Sequence, residues 1–134
     1  MATIDQVIEA VHTVKYFVGD SQLEAMGDGV RGEEAEFFKT MFVKLAERLN
    51  TMPKTYEQDG KGDDAVVYLH YFMGNMDWYI TEKDMEDEQH QAFGLADLGM
   101  GYPELGYISI EEITNAGAEL DLYWTPKTLA EVKS

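Results

Sequence analysis

Cysteine is absent from the 134 residues, which removes disulfides, thiolate zinc sites and a cysteine nucleophile from consideration. No apolar run approaches the roughly 20 residues needed to cross a bilayer. Met1-Ala2-Thr3-Ile4-Asp5 also has neither the basic nor the apolar segment of a signal peptide. Secretion and membrane association are therefore not expected, and the host cell cytoplasm is the expected location. Positive charge is scarce: 10 Lys and Arg stand against 26 Asp and Glu, a formal −16. Such a chain repels polyphosphates and anionic lipid, so direct nucleic-acid binding is not expected either. The chain has no Gly-x-Ser-x-Gly elbow, no phosphate loop ending in Gly-Lys-Ser/Thr and no His-Glu-x-x-His pair. Gly94, Gly99 and Gly101 do not have dinucleotide-loop spacing, and no cofactor is expected.

What is present describes a globular protein, with 45% hydrophobic and 27% charged residues. The acid is unevenly spread. Residues 1–54 carry nine acids and six bases, whereas residues 55–126 carry sixteen acids and only Lys61 and Lys83. Thr3 and Gln6 have capping-box spacing, and Ile4, Val7, Ile8, Val11, Val14 and Val18 recur at helical intervals, which predicts a helix over 4–17. Glycines at 27, 29 and 32 predict only a short helical turn and a loop after Asp20. Phe37, Phe38, Met41, Phe42, Leu45 and Leu49 then line one face of a helix from Glu33 to Asn50. Met52-Pro53 ends it, and Lys54 to Asp64 reads as an exposed connection.

Beyond that connection the period becomes alternating. Ala65–Met73 and Asp77–Glu82, joined at Gly74-Asn75, predict a β-hairpin. Residues 83–90 read as a solvated acidic loop; Ala92–Leu98 and Leu105–Ile108 read as strands. Ser109 with Glu112 predicts a short helix ending near Gly117. Residues 119–124 predict a last strand with one acidic face, and Thr125-Pro126 the start of a terminal helix. The expected fold is α+β: an antiparallel sheet of about five strands, N-terminal helices packed on one face, a short C-terminal helix, and the other face open to water. The expected organisation is a single domain over 1–134, helical in 1–52 and β-rich in 65–131, with no second core.

Several segments taken in order look familiar: Trp78-Tyr79-Ile80-Thr81-Glu82 with Asp84, Ala92-Phe93-Gly94-Leu95-Ala96-Asp97-Leu98-Gly99, Pro103-Glu104-Leu105-Gly106-Tyr107-Ile108-Ser109, and Glu119-Leu120-Asp121-Leu122-Tyr123-Trp124. Over about residues 65–131 they resemble an uncharacterised domain family that recurs on conjugative plasmids, integrative elements and phages. The resemblance implies a mobile-element setting. Some relatives carry a provisional single-stranded DNA endonuclease label, with no catalytic residue to carry over.

Two chemistries compete for the carboxylates. A metal-dependent nuclease needs converging carboxylates with a histidine, and Asp77, Glu82, Asp84, His70 and His90 are the candidates. Calcium loops fail, because a loop begun at Asp84 has Gln89 at its sixth and Leu95 at its twelfth position. Alternatively, a surface dense in carboxylates imitates a nucleic-acid backbone and occupies the basic groove of a host defence enzyme. Asp77, Glu82, Asp84, Glu86, Asp87, Glu88, Glu104, Glu119 and Asp121 are the expected partner-binding residues. The plainer reading of the same acid is a solvated face that keeps a small protein soluble. Exposed members among Tyr68, Tyr71, Phe72, Trp78, Tyr79, Phe93, Tyr107, Tyr123 and Trp124 would anchor a protein partner. The expected partner is a basic host nucleic-acid-binding defence protein, with a homodimer and a pocket for a small signalling molecule as further alternatives.

Overall fold

The computed structural model describes residues 2–134. Thr3 caps α1 (Ile4–Val14): its hydroxyl accepts from Gln6 N–H, and the Gln6 side chain accepts from Thr3 N–H. Val7, Ala10 and Val14 face inward, while Ile4 and Ile8, which share the apolar pattern, lie exposed.

Asp20–Val30 forms a full helix, α2, where only a turn was predicted from the glycines. Packing overrides propensity here, because the ring of Phe38 occupies the place a Gly29 side chain would take, 2.4 Å from an added Cβ. From α2, Gln22 makes paired hydrogen bonds with the backbone of Leu120, donating to its carbonyl at 2.7 Å and accepting from its N–H at 2.8 Å. A side chain thereby closes an otherwise open sheet edge. The long helix α3 (Ala35–Thr51) buries Phe42, Leu45, Ala46 and Leu49.

A five-stranded sheet follows, with β2 (Leu69–Met73), β3 (Met76–Glu82), β4 (Ala92–Asp97), β5 (Glu104–Ile108) and β6 (Glu119–Leu120) in the order β5-β4-β3-β2-β6, antiparallel throughout. The helices cover the face that carries Leu69, Tyr71, Trp78, Ile80, Ala92, Ile108 and Leu120. Tyr71 is wholly buried, its phenol held neutral by that burial, and it donates to the Phe17 carbonyl at 2.5 Å, tying the sheet to the turn after α1.

The other face is not simply open to water. β1 (Val66–Val67) pairs with β7 (Lys127–Thr128), and this ladder with α5 (Leu129–Lys133) lies across it. Ala65, Val67, Leu95 and Leu129 form a second small core there, with Tyr79, Trp124 and Val132 packed on it. The segment predicted as one strand over 65–73 therefore divides between two ladders.

Three connections also differ from expectation. In 54–64 Thr55 and Gln58 are buried, and Gln58 reaches the backbones of Val66 and Thr81. The final strand stops at Leu120, because Asp121 accepts from Tyr123 N–H and turns the chain, and Trp124 folds back to donate to the Val67 carbonyl. The terminal helix starts at Leu129 behind a Thr128/Glu131 capping box rather than at Pro126. The short helix α4 (Ile110–Asn115) is capped by Ser109 as predicted.

In the sheet, a Cβ on Gly94 would fall 2.0 Å from the Tyr79 carbonyl oxygen, an atom fixed in the central ladder. Gly94→Ala is accordingly expected to cost about 3 kcal/mol, the upper end of overpacking penalties, and to lower the melting temperature by on the order of 10 °C in a thermal melt.

Candidate functional site

At the hairpin end of the second face, alternation along the strands brings four carboxylates together. Asp97 stands directly opposite Asp77 across β4 and β3, Phe72 stands opposite Asp77, and Glu119 stands opposite Phe72. One residue along, Asp121 N–H donates to the His70 carbonyl, which sets Asp121 beside that histidine. His70 is gripped from both sides, with Nε2 2.7 Å from Asp77 Oδ1 and Nδ1 3.1 Å from Asp121 Oδ2. Its ring stacks on Tyr79 at 4.9 Å, and Trp124 lies 5.2 Å away. The field is negative: burial, then Asp77 and Asp97, hold the Tyr79 phenol above its ordinary pKa.

Of the nine predicted partner-binding residues, Asp77, Glu119 and Asp121 meet here. Asp97 completes the group; it was legible as the residue facing Asp77 only once the β3–β4 register was known. Glu104 is exposed on the far edge strand, paired with Ala96 on the opposite side of the sheet. Glu86, Asp87 and Glu88 are exposed in the loop beyond the other end of β3.

Glu82 and Asp84 do not face a partner, being 5% and 7% exposed. Glu82 accepts from Tyr56 N–H and the Thr81 hydroxyl. Asp84 accepts from both His90 N–H and Gln91 N–H at 2.9 Å, while its own N–H donates to Gln89 Oε1. The loop expected to be solvated is thus organised around a buried aspartate and the buried side chain of Gln89. The Gln89 carbonyl accepts from Ile110 N–H at 3.0 Å and docks the loop on α4.

That docking creates a second constellation. His90 Nε2 lies 2.7 Å from Glu88 Oε2 and 3.1 Å from Glu111 Oε2. Among the described residues, this is where three metal-capable side chains offer ligand atoms within 4.8 Å of one another. The nuclease set expected from sequence is dispersed: His70 belongs with Asp77 and Asp121, and His90 with Glu88 and Glu111. The contribution of Glu111 was hidden because it depends on α4 meeting a loop some twenty residues earlier.

The hydrogen bond to Glu88, reinforced by the charges of Glu111, Glu88 and Asp84, raises the His90 pKa above the ordinary histidine value. The contribution of this tie to stability is complete below the unfolded histidine pKa and is lost as pH rises through the raised folded value. Titration of the His90 ring signals by NMR is expected to give a midpoint above that of a model histidine, and Glu88→Gln is expected to bring it down.

Residues 41–125, from the middle of α3 to the residue after Trp124, match the profile of the family described as "Protein of unknown function (DUF2958)". Both constellations lie within the match. No curated protein and no solved structure matches the chain.

Proposed function

The chain belongs to the DUF2958 family, and we propose that it acts by binding, as an accessory anti-defence protein of a phage or plasmid. Its acidic sheet face occupies the basic nucleic-acid site of a host defence enzyme. The supporting observation is the row Asp97, Asp77 and Glu119, with Asp121 beside it. Neighbouring strands are about 4.8 Å apart, so three carboxylates are held in line across roughly 15 Å of rigid sheet.

Solubility alone gives no reason for this placement. Like charges directly opposite in a ladder destabilise it, and solvated acids on loops would serve solubility at no such cost. Among the described residues, Lys and Arg form ion pairs only with Asp28, Glu36 and Asp63, which leaves the row without a cation of that kind. A negative field on one face accelerates encounter with a positive groove and weakens as salt screens it.

The test uses a purified basic defence nuclease with a labelled nucleic acid in its groove. The wild-type chain is expected to displace the label at low salt and to lose most of that effect at high salt. Asp97→Lys with Glu119→Lys is expected to slow association about tenfold or more. Reversal of Glu86, Asp87 and Glu88, at the far end of the strands, is expected to have the smaller effect. Displacement insensitive to salt and to the Asp97/Glu119 change would overturn the reading.

One observation favours a second reading, a metal-dependent endonuclease on single-stranded DNA. The Glu88, His90 and Glu111 side chains offer an imidazole nitrogen and two carboxylate oxygens, donors that suit Mn²⁺, Fe²⁺ or Zn²⁺. Against it, residues 55–126 contain only Lys61 and Lys83 with which to hold phosphates. Cleavage of labelled single strands on addition of Mg²⁺ or Mn²⁺, abolished in His90→Ala, would replace the binding reading; intact strands leave binding as the function.

A further inference from the structure

At the other end of the same sheet face, beneath the 55–62 segment, lies a cavity of about 210 Å³. Tyr56, Asp59, Thr81, Glu82, Phe93 and Leu105 are among its lining residues, and no lysine, arginine or histidine is. Local irregularities build it. In the β3–β4 ladder, Ile80 pairs with Gly94 but Glu82 pairs with Phe93, so Thr81 and Glu82 together face one residue. This bulge turns Glu82 from the helix-packed side to the second face, beside Phe93. Tyr56 adopts a left-handed backbone, φ 79°, from which its N–H reaches Glu82 Oε1.

Glu82 is 5% exposed, yet among the described residues no Lys, Arg or His forms an ion pair with it. A buried carboxylate is ordinarily paired with a cation. Its partners are Tyr56 N–H on Oε1 and the Thr81 hydroxyl on Oε2, one donor on each oxygen. An ionised carboxylate offers about four acceptor sites, so each oxygen keeps one free. One vacancy on each oxygen of a single carboxylate suits the two-pronged fork of a guanidinium better than the single point charge of an ammonium.

We propose that this cavity binds a guanidinium group. The fork engages the two oxygens of Glu82, and the aromatic rings of Tyr56 and Phe93 supply surfaces for the cation. Asp59 adds negative charge at the same site. The volume also fits. A cavity of about 210 Å³ is many times the roughly 15 Å³ that a single water requires, which leaves room for a guanidinium and part of its stem. Tyr56, Leu105 and Tyr107 leave an exposed apolar rim against which the stem can lie. The group comes either from an arginine side chain of a polypeptide or from a free small guanidine. The inference does not require the acidic row to bind anything.

The wild-type chain is titrated by calorimetry and amide NMR with Nα-acetyl-arginine methylamide, Nα-acetyl-lysine methylamide and propylguanidinium. Both guanidinium probes are expected to bind and to shift the Thr81, Glu82 and Phe93 amide signals, with the lysine probe about tenfold weaker. Glu82→Gln is expected to lose about tenfold or more in affinity. Phe93→Leu, which leaves the carboxylate in place, is expected to lose severalfold and provides a second variant should Glu82→Gln fail to fold. A tighter arginine amide assigns the site to polypeptide arginine, whereas equal affinity of the two guanidinium probes assigns it to a small guanidine. No shift at these residues at millimolar probe, equal binding of the lysine probe, or unchanged affinity in a folded Glu82→Gln would overturn the proposal. Asp97→Lys with Glu119→Lys leaves this binding in place, so failure of the acidic-face reading is read separately.

Discussion

The extra residue in the β3–β4 ladder at Thr81-Glu82 is the constraint that organises the second face of the sheet. By strict alternation Glu82 would point to the helix-packed side of the sheet, among the apolar side chains buried there. The bulge turns it to the other side, where the backbone of Tyr56 meets it. Once Glu82 is there, the 55–62 segment has to follow. Thr55 bonds to the carbonyls of Lys83 and Gln91, Gln58 clips Val66 to Thr81, and β1 begins where Gln58 leaves it. The left-handed backbone of Tyr56 costs about 1–3 kcal/mol, and a hydrogen bond to a charged acceptor contributes about 1.5–3 kcal/mol. The two terms are of similar size, so the strained residue and the buried carboxylate persist together.

That face is divided into three zones by what each pair of facing residues can bury. In the middle, Leu95 and Tyr79 meet Trp124 and Leu129, and the small core they form holds β1, β7 and α5 against the sheet. Toward the hairpin, the outward positions become Asp97, Asp77 and Glu119, and His70 is the polar centre that lets two of the aspartates approach the aromatic cluster. Toward the other end lie Phe93, with Tyr107 opposite it, and the Glu82 cavity. The helices serve the face indirectly: Arg48 of α3 donates to the Trp124 carbonyl, and Lys83 reaches the Leu49 carbonyl at the end of the same helix, where positive charge complements the dipole.

Much of this architecture was legible in the residues. The hairpin closes at Gly74-Asn75 with Met73 opposite Met76, and the capping boxes at Thr3 and Thr128 have their partners. The five antiparallel strands and the N-terminal helices are as the hydrophobic periods require. What failed did so for nameable reasons. Gly27 and Gly29 were read as helix breakers, but the room left by the absent side chain of Gly29 is filled by Phe38. Leu122 and Trp124 alternate like a strand, but the carboxylate of Asp121 captures the Tyr123 N–H first. Residues 83–90 look solvated because five of the eight are charged, and nothing local reveals that Asp84 and Gln89 turn inward. A bulge is likewise invisible in a sequence, so the burial of Glu82 could not be read from it.

These same failures decide how the acidity should be interpreted. Net charge counts Glu82, Asp84 and Glu119 alike, yet the first two are buried and accept hydrogen bonds inside the fold, and only the third is exposed. Of the nine carboxylates that pattern alone selected, three stand with Asp97 on one rigid face, and the loop trio lies at the far end of the strands. A partner would therefore meet two separate negative regions joined by an aromatic middle rather than a continuous coat of charge. On the proposed binding reading, a basic surface that recognises nucleic acid carries cations positioned by the phosphate backbone, so the spacing held by the sheet, more than the total of −16, would determine which such surface is matched.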